Sequence, residues 1–407
     1  MKIMMLSTYD FHGGAAKASF RLFKELKKKK GVDILMYVQK RESDDKQVVL
    51  SYGFWNYIKS RLTPFVEVLP RILFPSKKKV WQSFALYSSF DIRVVSDFKP
   101  DLIHINWTGN GFMKPEDIES LKDFKVVWTF YDMWPLLGSE HFESMNHSIV
   151  EKYLVKRKKA IWENCNFSIV TLSRWLTKLV GKSYAFKGKQ VNTINPGLDT
   201  KIFNPTIKIK ARNFFKLPID KKIILFGAYK ADRDERKGKK YLIEALKKVR
   251  TKLLKQKRDL CLITFGYEGK GFFVEEGIEV VNFGIIKDEK LLAMLYSAAD
   301  LTVVPSIQES FGQVAAESFS CGTPVVAFNT SGLRDIVDHK VTGYLAKCFS
   351  SIDLALGIMY IFNLKNYQIK KMQMKCRKMA LKKFSLKKYV DSYYNLFNKV
   401  LKINDSN

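Results

Sequence analysis

The sequence predicts an α/β protein built from two doubly wound, mostly parallel domains in tandem. Short apolar, β-branched runs alternate with helical stretches along most of the chain, the order of a parallel sheet with helices on both faces. The alternation restarts after the turn-rich stretch Asn195-Pro196-Gly197-Leu198-Asp199 and Phe203-Asn204-Pro205. Each half also opens on an apolar strand followed by a glycine-bearing turn. Ligands of such sheets sit beyond the strand carboxyl ends, here expected in a cleft between the two domains.

In the first half, Lys2–Ser7 reads as a strand, the polar loop Thr8–Gly14 leads into a helix from Ala15 to about Lys29, and Asp33–Val38 is the next strand. Asp101–Ile105 and Lys125–Phe130 follow as strands around a helical stretch from about Glu116 to Lys122. Phe167–Leu172 and Gln190–Ile194 complete the set. In the second half, Lys222–Gly227 is a strand and Lys239–Lys255 a helix. Asp259–Phe265, Ile278–Phe283, Leu301–Pro305 and Pro324–Phe328 are strands with helices between them. A last helix, about Leu386–Leu401, carries apolar residues at helical spacing and is expected to pack back on the first domain. The predicted domains are 1–197, 198–385 and that final segment, 386–407.

With 407 residues and a hydrophobic fraction of 46%, the chain has enough length and apolar content for two cores. The apolar start Met1–Ser7 gives way at once to polar residues, so no signal peptide is expected. The longest apolar run, Leu354–Phe362, is about half of what a membrane span needs. Five scattered cysteines (Cys165, Cys261, Cys321, Cys348, Cys376) show no C-x-x-C spacing and read as reduced core residues of a cytoplasmic protein. A net charge of +30 reads either as a solvated lysine coat or as a mark of an anionic partner: nucleic acid, a membrane surface or an acidic small substrate. Lysines cluster at Lys27–Lys30, Lys77–Lys79 and Lys370–Lys388. Between Phe54 and Phe84, aromatic and aliphatic residues interleave with basic ones and with Pro64, Pro70 and Pro75. That segment is either a loop-and-helix insertion packed on its own domain or an interfacial membrane contact.

The most informative motif is a pair of glutamates eight positions apart, Glu309 and Glu317, around Ser310-Phe311-Gly312-Gln313. Leu301–Pro305 before it is a buried strand, Gln313–Cys321 a short helix with Gly322 at its C-terminal cap, and Pro324–Phe328 the next strand. One carboxylate therefore stands at a strand's carboxyl end and one inside a helix, with helix-start amides between them. This arrangement can hold a polyhydroxylated, phosphate-bearing ligand.

In this context the second half resembles the nucleotide-sugar-binding domain of retaining glycosyltransferases of the GT-B fold (glycosyltransferase family four). The resemblance rests on ordered segments: Phe226-Gly227, Arg236-Lys237-Gly238, Leu242–Leu246, Phe283-Gly284, Tyr296–Asp300, the paired glutamates with Phe311-Gly312, Thr323–Ala327, Ser331-Gly332-Leu333 and Gly343-Tyr344. In the first half, Gly13-Gly14-Ala15-Ala16 before Arg21-Leu22, and Val127–Pro135, look like transferases of bacterial exopolysaccharide, O-antigen and capsule assembly. Ser173–Leu176 and Asn195–Asp199 fit as well, and the likeness is weakest from about residue 45 to 98. It implies two Rossmann-like domains.

By this resemblance Lys237 holds the donor diphosphate and stabilises the charge growing on the leaving group, with Arg233 or Arg236 assisting. Backbone amides at Phe311, Gly312 and Gln313 suit a phosphate, Gly13 and Gly14 let the first-domain backbone approach it, and Gly227 ends the strand beside it. Glu317 would take the ribose hydroxyls and Glu309 those of the donor sugar. The family mechanism is front-face attack with retention, in which the departing phosphate oxygen takes the acceptor's proton. Catalysis then falls to Glu309, Lys237 and Tyr131, with Tyr131, Asp132 and His141 on the acceptor side. Two departures stand out. Tyr131 occupies the position where the family commonly has histidine, and phenol lacks imidazole's proton chemistry near neutral pH. Either Tyr131 binds rather than transfers protons, or His141 substitutes, or donor and acceptor differ from the family norm. Ala228 stands where many relatives have arginine, a charge that Arg233 or Arg236 can supply.

Asp232-Arg233-Asp234 mimics a D-x-D metal motif, but its basic surroundings in the phosphate loop argue against one. The expected donor is a UDP- or GDP-sugar with no metal and no other cofactor, and the expected acceptor a glycan or polyprenyl-linked glycan. The expected location is the anionic inner face of the cell membrane, with no nucleic-acid partner. The competing readings are a non-catalytic nucleotide-sugar-binding module, a basic nucleic-acid-binding protein and a sugar-nucleotide epimerase on the same fold. Donor binding without turnover marks the first of these, and salt-sensitive RNA or DNA binding the second.

Overall fold

The computed structural model describes residues 1–74, 81–143, 148–228 and 234–402. It divides into two compact units, Met1–Gly197 with the chain from Lys387 onward, and Leu198–Leu386.

The first unit is a seven-stranded, wholly parallel sheet: β1 (Lys2–Tyr9), β2 (Asp33–Lys40), β3 (Val48–Val49), β4 (Leu102–Ile105), β5 (Val126–Phe130), β6 (Phe167–Thr171) and β7 (Val191–Thr193), in the order β3-β2-β1-β4-β5-β6-β7. Every residue of β4 and β5 is buried, the mark of a strand covered by helices on both faces. Strand order reverses between β1 and β4, the topological switch point of a doubly wound sheet.

The final helix, Leu386–Lys402, belongs to this unit and buries Tyr389, Val390, Tyr393, Leu396, Phe397 and Val400, a stripe at helical spacing. Tyr393 and Phe397 pack on the His104 ring of β4 at centroid distances of 5.1 and 5.4 Å. The Tyr393 hydroxyl meets Thr129 Oγ1 at 2.8 Å, and Thr129 meets His104 Nε2 at 2.8 Å.

His104 is wholly enclosed, and burial pulls its pKa from 6.5 to about 3. The folded imidazole stays neutral down to that pH while the unfolded one binds a proton near 6.5. Its contribution is therefore complete above pH 6.5 and is lost as pH falls toward 3. Between pH 6.5 and 5 this alone costs ~2 kcal/mol of stability. Urea melts of wild type and His104→Asn at pH 7.5 and 5 are expected to show the stability gap between them closing by about that much. A pH-independent gap would show that the imidazole protonates in the fold.

The second unit repeats the plan with β8 (Lys222–Gly227), β9 (Leu260–Phe265), β10 (Gly271–Glu275), β11 (Ile278–Asn282), β12 (Leu301–Val304), β13 (Val325–Phe328) and β14 (Gly343–Ala346), in the order β10-β11-β9-β8-β12-β13-β14. Only β10 with β11 is antiparallel. Order reverses here between β8 and β12.

Several elements go beyond the sequence expectation. The first helix begins earlier, at Gly13 (Gly13–Lys27), and the helical stretch near residue 116 is the shorter Pro115–Glu119. The 54–84 segment forms two helices, Phe54–Val66 and Val68–Leu73, with Pro64 inside the first, while 75–80, including Lys77–Lys79, lie outside the described residues. The basic run from Lys370 is largely one helix, Asn366–Phe384. All five cysteines are free thiols.

Candidate active site

In the second unit, the loops leaving the two strands at the switch point carry Lys237 and Glu309. After β8 the described chain resumes at Asp234, makes one tight turn at Glu235–Lys237, and enters the helix Lys239–Lys255 through Gly238. Gly238 has φ +70°, and a Cβ there would lie 1.9 Å from the Pro305 carbonyl oxygen just beyond β12. The Ile307 amide donates to the Arg236 carbonyl at 2.7 Å, a second tie between the two loops. Held side by side in this way, Lys237 Nζ reaches Glu309 Oε1 at 2.7 Å.

Burial by itself raises the Glu309 pKa. The Lys237 ammonium, with Arg236 and the Ser306 hydroxyl, outweighs it and holds the carboxyl below the usual glutamate range. The Glu309 backbone is clamped too: its amide donates to Ser331 Oγ (2.9 Å), and its carbonyl accepts from the Gly332 amide (2.9 Å). Glu309 thus stands as an oriented anion at the strand end, with a lysine on one oxygen.

Gly312, at φ +115°, turns the chain into the helix Gln313–Ser320, and a Cβ there would lie 2.8 Å from Leu333 Cδ2. The first amides of that helix have no intrahelical acceptor and form its positive end. Glu317 lies one turn further on and is buried. The Tyr296 hydroxyl donates to its Oε2 (2.9 Å) and Gln313 Nε2 to its Oε1 (3.0 Å). Phe311 is buried edge-to-face against Phe384 at 5.4 Å, so its side chain anchors the loop while its backbone stays beside Gly312. The Arg236 guanidinium forks onto Asp234 (Nε to Oδ1 3.0 Å, Nη2 to Oδ2 2.6 Å). Gly227 ends β8 where a Cβ would lie 2.0 Å from the Phe265 ring. Arg233 and Asp232 lie outside the described residues.

In the first unit, Gly13 (φ +88°) and Gly14 open the helix that follows β1, and a Cβ on either would meet nothing within 4 Å. Tyr131, half-buried just past β5, donates to Asn106 Oδ1 at 3.2 Å and is hydrogen-bonded to the Tyr389 hydroxyl of the final helix. Burial raises its pKa well above 10, so it is a neutral phenol.

Asp132 and His141 are locked together. His141 Nδ1 meets Asp132 Oδ2 at 2.6 Å and Nε2 meets Ser83 Oγ at 2.9 Å, while Asp132 also accepts from Trp107 Nε1 (2.8 Å) and the Trp134 amide (2.9 Å). Burial raises the Asp132 pKa, but His141 and these donors reverse that and leave it low. Both His141 nitrogens are thus occupied, and of the three residues expected on the acceptor side Tyr131 has the greatest access to solvent. Buried Lys158 holds the same loop by donating to the carbonyls of Trp134, Leu137 and Gly138 (2.7, 3.0 and 2.6 Å).

Sequence reasoning missed the residues that orient the named ones: Tyr296, Ser331, Asn106, Trp107, Ser83, Lys158 and Tyr389. Tyr296 and Ser331 lie inside segments that carry the resemblance, which was their available signal. The others act from distant elements, and nothing in their local sequence marks them.

Two family models match the chain: "Glycosyltransferase Family 4" over residues 12–202 and "Glycosyl transferases group 1" over residues 209–383. A D-inositol 3-phosphate glycosyltransferase of Thermobispora bispora is 36% identical over 190 residues, 43% of this chain and 42% of that protein. The chain thus spans less than half the length of that curated relative. Among solved structures, sucrose-phosphate synthase from Thermosynechococcus elongatus is similar with TM-score 0.71 and 21% identity, covering 99% of this chain and 100% of the other. Anabaena HepE in complex with UDP and glucose is similar with TM-score 0.67 and 15% identity, covering 98% and 99%. With both halves of the chain matched, and with two Rossmann-like sheets of this order, the protein belongs to the GT-B glycosyltransferases of family four.

Proposed function

We propose that the protein transfers a sugar, with retention, from a nucleoside-diphosphate sugar to a lipid-linked or growing polysaccharide acceptor in bacterial surface-glycan synthesis (O-antigen, capsule or exopolysaccharide). The observation that carries this reading is the Lys237–Glu309 pair at the carboxyl ends of β8 and β12, beside the amino end of the helix Gln313–Ser320. The diphosphate lies against those amides and Lys237, with Arg236 nearby. Glu309 accepts from the donor-sugar hydroxyls, and Glu317, fixed by Tyr296, from the ribose. The bond from the anomeric carbon to the diphosphate breaks, the bond to the acceptor oxygen forms, and the departing phosphate oxygen takes the acceptor's proton. Lys237 supplies the cation at that oxygen, so no metal is needed. Tyr131, a neutral phenol, donates to a sugar hydroxyl rather than acting as a base.

The acceptor and location rest on the first unit. The helices Phe54–Val66 and Val68–Leu73 leave Phe54, Trp55, Phe65, Ile72 and Leu73 about 70–80% exposed, interleaved with Lys59, Arg61 and Arg71. Large exposed apolar groups with basic neighbours suit an anionic, headgroup-level membrane surface. No described helix is long and apolar enough to cross a membrane.

Thermal-shift screening of UDP- and GDP-sugars tests the reading. One of them is expected to raise Tm by mass action, and its sugar to be transferred to a polyprenyl-linked acceptor in the presence of EDTA. The chain is expected to float with anionic vesicles, less so after Trp55→Ser with Phe65→Ser. A screen in which no nucleotide sugar shifts Tm overturns the donor assignment. Flotation indifferent to lipid charge overturns the membrane assignment.

A further inference from the structure

The second unit contains a cavity of about 1140 Å³ that the donor site does not use. It lies at the opposite edge of the sheet: its wall includes Lys222, the first residue of β8, together with Asp300 just before β12 and Thr323 just before β13. The helix Asn366–Phe384 closes one side.

Two of the cations here are already committed. Lys208 Nζ pairs with Asp300 at 2.7 Å, and the Arg377 guanidinium donates to the carbonyls of Phe203, Ser320 and Thr200. Lys222, Lys370, Lys378 and Lys382 are different. Among the described residues the ammonium of none of these four has a hydrogen-bond or ion-pair partner, and all four line the cavity. Lys222 is half-buried with its ammonium 5.5 Å from the centre of the Phe362 ring. Burial pulls its pKa below the usual lysine value, and Arg258, Lys208 and Arg212 reinforce that against the opposing pull of Asp300. An anion arriving beside it would relieve this imbalance.

The rest of the wall mixes polar side chains (Thr206, Ser297, Thr323, Asn366 and Gln373) with an apolar stretch. Phe362, Leu364 and Ile369 face the same space as the lysines. On the same helix, Met374 and Leu381 also line the cavity yet stay 66% and 45% exposed, and with Tyr367 (65%) they alternate with Lys370, Lys371, Lys378 and Lys382 at spacings of three and four residues. A soluble phosphate would use the lysines and leave the apolar stretch and these three side chains in water. A lipid in a bilayer covers all of them.

We propose that this cavity binds one anionic phospholipid of a membrane, its phosphate among the four lysines and its glycerol and first chain carbons against Phe362, Leu364 and Ile369. Lys370, Lys378 and Lys382 reach the headgroup layer by their long stems, while Met374 and Leu381 sit among the upper acyl carbons. The site lies wholly in the second unit and is separate from the donor site and from the exposed helices of residues 54–73. Its success or failure therefore does not depend on theirs.

The test uses the full chain and lipid monomers. Dihexanoyl-phosphatidylglycerol below its micellar concentration is expected to give a saturable rise in Tm and to shift the methyl NMR signals of Met374 and Ile369. Dihexanoyl-phosphatidylcholine and inorganic phosphate at equal concentration are expected to give neither. The triple variant Lys370→Glu, Lys378→Glu, Lys382→Glu is expected to bind the phosphatidylglycerol at least tenfold more weakly while its Tm still responds to a nucleoside diphosphate. Ile369→Trp, which fills the cavity and keeps the charge, is expected to weaken binding similarly and serves if the triple variant does not fold. Equal binding of phosphate overturns the lipid assignment, and equal binding of phosphatidylcholine overturns the role of charge. Undiminished binding by the variants overturns the location.

Discussion

Lys237→Ala is expected to lower kcat for sugar transfer by about 10²–10³-fold with a smaller change in KM. The reason is the timing of charge. On the proposed reading, the ground-state diphosphate already bears its negative charges, and the helix amides share them. As the glycosidic bond breaks, a further charge collects on the departing oxygen, and a preoriented ammonium there is worth most at that moment. Lys237 is preoriented by its 2.7 Å contact with Glu309 and by the tight turn Glu235–Lys237. Removing Glu309 leaves that ammonium without its anchor, so Glu309→Gln is expected to fall by a similar factor. The double variant is expected to be little worse than either single one, because the two act as a unit. Arg236→Ala, whose guanidinium already faces Asp234, is expected to cost much less. Steady-state kinetics on purified variants, with donor binding followed separately, gives the comparison. Near-wild-type kcat in Lys237→Ala would remove this lysine from the chemistry.

Much of this site is legible in the sequence because its parts are local. A buried β-branched strand, a glycine, a short helix and a second strand follow one another within residues 301–328, so spacing alone places Glu309 at a strand end and Glu317 in a helix. What spacing cannot supply is which side chain meets which across the sheet. The Lys237–Glu309 contact joins residues 72 positions apart, and the β8–β12 adjacency behind it is a crossover property of strand order. The same limit hides the Tyr131 environment, since Tyr389, its partner, lies in the last helix. It also hides the engagement of His141, whose Nε2 partner Ser83 lies 58 residues upstream. Residues 54–73 resisted reading for another reason. Their apolar groups are largely exposed, and burial periodicity, the signal that betrays a helix, is correspondingly weak.

Gly238→Ala is expected to damage the proposed donor site severely. Two separate penalties meet there. The residue holds φ +70°, a conformation that costs an L-residue ~1–2 kcal/mol. The new Cβ would also stand 1.9 Å from the Pro305 carbonyl oxygen, which is backbone and cannot swing aside. The loop must then move off the end of β12, taking Lys237 away from Glu309. A displacement near 1 Å at such a site costs about 10²-fold in rate. Gly269→Ala supplies the control. It has nearly the same φ, +77°, and a Cβ there meets nothing within 4 Å, so it carries the conformational penalty without the collision. Gly269→Ala is therefore expected to lose only ~1–2 kcal/mol of stability and to keep kcat and donor affinity. Gly238→Ala is expected to lose more stability and about 100-fold in kcat/KM. Equal losses in the two variants would mean that backbone conformation alone, and not the approach of the two loops, sets the geometry of the lysine and the glutamate.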